Sequence, residues 1–217
     1  MRDLYSNNWL KKVVDSPIFT GKIESMDAQI KIRETKILSD NWYVLKKITY
    51  DALQKNGSWK VQTREAYDRG NGAAILLYNK EQKTVILTRQ FRLPTYINGN
   101  ETGMMIEVCA GLLDEDNPED AIKREAEEET GYRISDVRKI FHAYMSPGSV
   151  TEILYFFVAE YDKSMKVSEG GGVEHEQENI EVLELSFDAA LGMIASGEIR
   201  DAKTIMLLYH ARLNGLL

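Results

Sequence analysis

A single cysteine, Cys109, stands among 217 residues, so no disulfide can form within the chain and stability must come from packing. No stretch approaches the roughly 18 uninterrupted apolar residues of a membrane-spanning helix. The amino terminus "MRDLYSNNWLKKVV" lacks the apolar run of a secretion signal. These absences lead us to expect a protein of the reducing cytoplasm with no membrane partner. Basic charge is also short. Lys and Arg number 27 against 34 Asp and Glu, a formal net charge of -7. Nucleic acid polymers are held by a basic surface, so they are not expected partners. A small phosphorylated ligand is still compatible with such a chain, given local cations or a bound metal as a bridge.

What is present suits a packed globular protein, with 43% hydrophobic and 28% charged residues. The length allows one large domain, or one domain with an appendage. Residues 1–34 carry little pattern. "NWYVLKKITYDAL" and "WKVQTREAYD" flank Asn56-Gly57, a hairpin turn signal. "AAILLY", "TVILTRQF" and "MMIEVCA" read as strands, the last ending at Gly111. After an acidic segment come the strands "VRKIFHAYM" and "TEILYFFVAEY". A polar loop over 162–179 follows, then the short strand "IEVLEL" and helices near 186–196 and 201–213. There is no regular strand–helix alternation and no internal repeat, so the expected class is α+β or a sandwich.

The segment "GLLDEDNPEDAIKREAEEETGY" raises the functional question, because it crowds acidic residues into a few turns. Asn117 suits an N-cap, Pro118 the first helical position and Gly131 a C-terminal stop, which predicts a helix over 118–130. At about 100° per residue, Glu125 and Glu129 fall on the side of Ala121, Ile122 and Ala126. Lys123 and Glu127 fall opposite and are spaced as an exposed i,i+4 pair. A merely solvated acidic helix keeps its charges away from its apolar face. Carboxylates placed on that face repel and lose hydration. A divalent cation compensates most directly, and an all-oxygen donor set points to magnesium, with manganese as the alternative.

At these residues the chain resembles the Nudix hydrolase family. "REAEEETGY" matches the helical end of the family's box, GX5EX7REUXEEXGU, with Arg124, Glu125, Glu128, Glu129 and Gly131 on fixed positions. Counting back, Ala110 stands where the box has its first glycine, and Asp116 where it has its first glutamate. Gly111 comes one place late. Pro147 matches the ADP-ribose pyrophosphatase branch. "QFR", "CAGLLD", "MSPG", "GGGVE" and "GEIRDAKT" extend the likeness over residues 35–213. The resemblance implies a mixed β-sheet sandwiched between α-helices. It also implies a β arm over 35–70 exchanged in a homodimer, a hydrolase domain over 71–217, and an extension of unknown role over 1–34. The implied reaction is magnesium-dependent hydrolysis of a nucleoside diphosphate sugar at its pyrophosphate. GDP-mannose, giving GMP and mannose 1-phosphate, is the leading substrate and ADP-ribose the runner-up. A non-catalytic nucleotide-sugar sensor is the alternative from a different class; such modules lose box glutamates, which are all present here.

The same resemblance implies roles for single residues. Glu125, Glu129 and the main-chain oxygen of Ala110 are expected to hold the metal, with a loop acid, Glu178 or alternatively Glu176, as further ligand. Glu178 is also the expected catalytic base, and Glu128 either binds a second cation or orients water. Arg124 braces the acidic cluster. Substrate contacts are expected from Arg92 to the pyrophosphate, Glu152 to the sugar or its phosphate, and Ala110, Gly111, Leu112 and Glu129 beside them. Lys203 is expected on a phosphate across the dimer. Trp42, Thr63, Arg64 and Glu65 fall where a partner chain reaches the nucleotide. For Trp42 the competing reading is a core tryptophan, and for Arg92, Glu152 and Lys203 an ordinary surface charge.

Overall fold

The computed structural model describes residues 29–113, 116–173 and 179–217. They fall into two compact units. In the first, made of residues 29–35 and 48–63, Arg33 grips the Asp51 carboxylate with two bonds of 2.7 Å and Lys31 lies 4.1 Å from the Trp59 ring centre. Strands β1 (Ile30–Asp40), β2 (Val44–Leu53) and β3 (Trp59–Asp68) pair in that order. Asn56 closes the β2–β3 turn by accepting from the Ser58 amide at 3.1 Å.

The second unit, residues 36–47 with the described residues of 64–217, is built on a seven-stranded mixed sheet. Its strands are β4 (Gly72–Asn79), β5 (Thr84–Phe91), β6 (Met104–Glu107), β7 (Cys109–Leu112), β8 (Arg138–Tyr144), β9 (Ile153–Glu160) and β10 (Glu181–Ser186). The main path runs β10-β5-β4-β9-β8. Only β4 and β9 are parallel within it. All eight residues of β4 are buried, which a continuous apolar run achieves only where both sheet faces are covered. One face carries Ala73, Ile75 and Leu77 against Ala121, Ile122 and Ala126 of helix α2 (Pro118–Thr130). The other carries Ala74 and Leu76 with Phe187 of α3 (Phe187–Ser196) and Leu207, Leu208 and Ala211 of α4 (Ala202–Leu213). The helices therefore sandwich the sheet. A further short helix, α1 (Leu93–Ile97), was not legible in the sequence. No helix among the described residues is long and apolar enough to cross a membrane.

The run "MMIEVCA" is not one strand. β4 and β5 pair only over Leu77–Asn79 and Thr84–Ile86 and then separate. The segment from Met104 fills the gap, with β6 pairing to β5 and β7 to β4. It changes partner at Val108, whose amide leaves the ladder and donates to the Thr204 hydroxyl at 2.8 Å. Gly111, expected to end a strand, lies inside β7.

Helix α2 spans the residues its caps predict. Asn117 accepts from the amides of Glu119 and Asp120, both at 3.1 Å. Gly131, at φ 79°, takes the left-handed conformation that ends a helix. On the exposed face the pairing differs from the spacing-based expectation. Lys123 turns back to Glu119 at 2.7 Å, while Glu127 is gripped by both arms of Arg133. Both follow from chemistry: a glutamate one turn before a lysine is the better orientation, and a guanidinium fork outcompetes an ammonium.

Candidate active site

Two groups of charged side chains meet the segment Met104–Leu112. The first comes from α2. Glu129 is 1% exposed, and its carboxylate accepts from the Ala110 amide of β7 at 3.3 Å. Glu125 lies against Gly111: a Cβ added there would stand 2.2 Å from the Glu125 carboxyl carbon. Glycine at 111 is thus what gives the Glu125 carboxylate its place beside the strand. Arg124 lies 3.0 Å from Glu125 and 3.2 Å from Glu128, with Asp116 at 3.8 Å. Partial burial works against the Arg124 charge, but the surrounding carboxylates outweigh it and raise its pKa. The helix end is held from outside too: Gly171 and Gly172 amides donate to the carbonyls of Glu129 and Glu128 at 2.9 and 3.1 Å.

Glu152 immediately precedes β9 and, with Leu154, neighbours the Gly72 position on the sheet face opposite α2. It is 9% exposed, and Arg69 approaches its carboxylate at 3.6 Å. A Cβ at Gly72 would meet both the Gly111 carbonyl, at 3.0 Å, and a Glu152 oxygen, at 3.5 Å. Glu152 and Glu125 thus approach Gly72 and Gly111, on the paired strands β4 and β7, from opposite faces of the sheet.

The carboxylate at the centre of the second group, Glu107, was missed in the sequence. Glu107, 3% exposed at the end of β6, accepts from Nε and Nη2 of Arg92 at 2.9 and 3.1 Å. It also accepts from Nζ of Lys203, which lies 3.0 Å from Asp201. Burial alone would raise the Glu107 pKa, but the charges of Lys203 and Arg92 and their hydrogen bonds hold it at about 2. Arg92 is raised in turn: burial opposes its charge, and Glu107, Glu129 and Asp201 overcome that. Asp201 also caps α4, accepting from the Thr204 amide and hydroxyl at 3.0 and 2.6 Å. Arg92 and Lys203, singled out separately in the sequence, thus share one carboxylate. The separations in sequence, 15 and 96 residues, explain why no local pattern announced it.

The remaining candidates are placed as follows. Leu112 lies opposite Gly72 at the end of β7. Thr63, Arg64 and Glu65 lie along β3. Trp42, in the turn between β1 and β2, is 82% exposed and so is not a core residue. It touches Tyr43 edge-on at 6.5 Å, and Tyr43 in turn stacks under Arg69, 5.5 Å from the ring centre. Glu176 and Glu178 lie outside the described residues.

The donor chemistry suits a hard divalent cation, because Glu125 and Glu129 bring carboxylate oxygens to the backbone of Ala110 and Gly111. Among the described residues no three His, Cys, Asp or Glu side chains form a complete cage. Magnesium sites commonly complete their shell with water and substrate phosphate.

Comparisons with known proteins place the chain in a family. A family model described as the GDP-mannose pyrophosphatase NudK N-terminal domain matches residues 29–67, and the NUDIX domain model matches 68–208. The chain is 58% identical over 190 residues to the GDP-mannose pyrophosphatase of Pectobacterium atrosepticum, covering 88% of this chain and 97% of that one. It is 55% identical over 192 residues to that of Citrobacter koseri and 57% to that of Salmonella arizonae, each covering 88% of this chain and 100% of the relative. With the box helix, its glycine-lined strand and these matches in hand, the chain belongs to the Nudix hydrolase family.

Proposed function

We propose that this protein hydrolyses GDP-mannose at its pyrophosphate, releasing GMP and mannose 1-phosphate, with magnesium as the metal. The observation that carries the reading is the Glu125–Glu129 pair packed against Ala110 and Gly111, in a chain more than half identical to curated GDP-mannose pyrophosphatases. Enzymes of this family generally use a divalent metal. Glu125, Glu129 and the Ala110 carbonyl are the residues to hold it. The Ala110 amide faces Glu129 instead of the β4 ladder, and in an antiparallel pair the carbonyl of the same residue shares that edge. When bound, the cation neutralises phosphate oxygens and lowers the pKa of a coordinated water.

The protein's own groups supply the rest. Glu129 keeps its carboxylate in place through the Ala110 amide. Arg124 offsets part of the repulsion among Glu125, Glu128 and Asp116 before any ligand arrives. Arg92 and Lys203 of one chain orient the anionic pyrophosphate, a role that replaces the cross-dimer one expected of Lys203 because both cations share the Glu107 carboxylate, and Glu152 reads the sugar or its phosphate. A glutamate of the loop, Glu178 in preference to Glu176, takes the water proton, and Glu128 orients that water. Trp42, Thr63, Arg64 and Glu65 serve the nucleotide from a partner chain in a cytoplasmic homodimer. The exposed Ile37 and Leu38 of β1 support an arm that another chain covers.

A panel of nucleotide sugars with magnesium, read by phosphate release after phosphatase coupling, tests the reading. GDP-mannose is expected to give the highest kcat/KM, and excess EDTA to abolish turnover. Preference for ADP-ribose moves the substrate to the runner-up. Binding without any turnover leaves only the sensor reading.

A further inference from the structure

None of the roles above uses Glu107, although it is buried and held by two cationic side chains. Its two oxygens take three cationic donors, two from Arg92 and one from Lys203. The cluster is lopsided. The Glu107 side chain is 4% exposed and the Arg92 side chain 40%, so the anion lies beneath and the guanidinium faces outward. A guanidinium offers five N–H donors, and Glu107 engages Nε and Nη2. Among the described residues nothing bonds Nη1 of Arg92. Lys203 carries three N–H groups; Glu107 takes one of them, and Asp201 lies 3.0 Å from the ammonium. Each cation therefore keeps donors after the internal network is complete. Two cations brought together with no anion between them would repel and turn apart. The same backbone segment, three residues on, carries Ala110, which holds Glu129.

We infer that Glu107 is a positioning residue for the substrate's pyrophosphate: it locks Arg92 and Lys203 side by side, so that their remaining donors meet one anionic group next to Glu129. This rests on the reading that Arg92 and Lys203 hold that pyrophosphate. Glu107 touches no substrate itself. Its contribution is preorganisation, with both cations fixed before binding. The Thr204 hydroxyl, bonded to the Val108 amide and to Asp201, ties α4 to the strand that carries Glu107.

The test is a mutant cycle on the full chain with saturating magnesium, reading KM and kcat for GDP-mannose and the melting temperature of each protein. Arg92→Ala and Lys203→Ala are each expected to raise KM. Glu107→Gln is expected to raise KM roughly 10- to 100-fold, the size of one lost charge-assisted interaction, with a smaller change in kcat. The Glu107→Gln/Arg92→Ala double variant should be no worse than Arg92→Ala by more than about twofold, because Glu107 acts through Arg92. Glu107→Asp, which keeps the charge, should recover part of the loss. If Arg92→Ala and Lys203→Ala leave KM unaltered, the phosphate reading of those two residues falls. If they raise KM while Glu107→Gln does not, or if the effects of Glu107 and Arg92 simply multiply, the positioning role is overturned and the phosphate reading stands. Should Glu107→Gln fail to fold, the same cycle run with Glu107→Asp decides by the same rule.

Discussion

The two charged groups that flank Met104–Leu112 solve opposite problems. On the α2 side, Glu125, Glu128 and nearby Asp116 share one Arg124, and Glu129 is buried beside them. On the α4 side, Glu107 and Asp201 face Arg92 and Lys203, two anions against two cations. In the first group one arginine serves several carboxylates, so an added cation would stabilise it. The second is electrically closed and offers only spare donors. Like charges a few ångströms apart repel by about 1–4 kcal/mol at effective dielectrics between water and protein surface. Removing a carboxylate should therefore relieve the first group and damage the second.

Glu129→Gln makes the largest test of that contrast. Turnover of GDP-mannose should fall by roughly 100- to 1000-fold, since the charge lost acts on the transition state. The metal-free variant should melt no lower than the parent, and the gain in melting temperature on adding magnesium should shrink. A lower metal-free melting temperature with near-parental turnover would reverse the assignment of the two groups. Glu107→Gln is the mirror case. Leaving Arg92 and Lys203 without their buried anion should destabilise the fold by about 3 kcal/mol, and calorimetry with and without magnesium should show the same deficit in both conditions.

Gly111→Ala comes next. Its Cβ would stand 2.2 Å from the Glu125 carboxyl carbon, so the carboxylate must move. A displacement of about 1 Å in a reacting site lowers the rate roughly 100-fold at most. Stopped assays should show that loss with only a modest shift in melting.

The titration of Glu107 sharpens the comparison further. Its folded pKa, about 2, lies below the ordinary 4.5. The stability it contributes is complete above 4.5 and is lost as pH falls toward 2. Melting temperatures between about pH 5 and pH 3 should therefore decline less steeply in Glu107→Gln than in the parent. The smallest effect belongs outside both groups. Lys123→Ala removes an exposed pair with Glu119 and should change stability by no more than about 0.5 kcal/mol, with unaltered kinetics.

The unequal legibility of the two groups has a physical basis. The α2 group was readable because a helix repeats locally. Asn117, Pro118 and Gly131 fix its ends, and its period puts Glu125 and Glu129 beside Ala121, Ile122 and Ala126 on the apolar face. The α4 group depends on contacts that span 96 residues between Lys203 and Glu107, and no local period encodes those. The division of "MMIEVCA" into β6 and β7 was hidden for a related reason. It depends on where β4 and β5 part, a property of neighbouring strands and not of the run itself. On the surface of α2, spacing suggested a partner for Lys123, but competition with Arg133 for Glu127 decided it.

The turn at Val108 makes one short piece of backbone into a ruler. Glu107 and Ala110 belong to different strands yet are three peptide units apart, a span of at most about 10 Å that covalent geometry caps. The distance between the Glu107 half and the Glu125–Glu129 half is thus set by counting residues, not by the balance of loop motions. Inserting a single residue at 108 would turn every following side chain of β7 to the opposite face, separating the two halves in one step while leaving α2 and α4 intact.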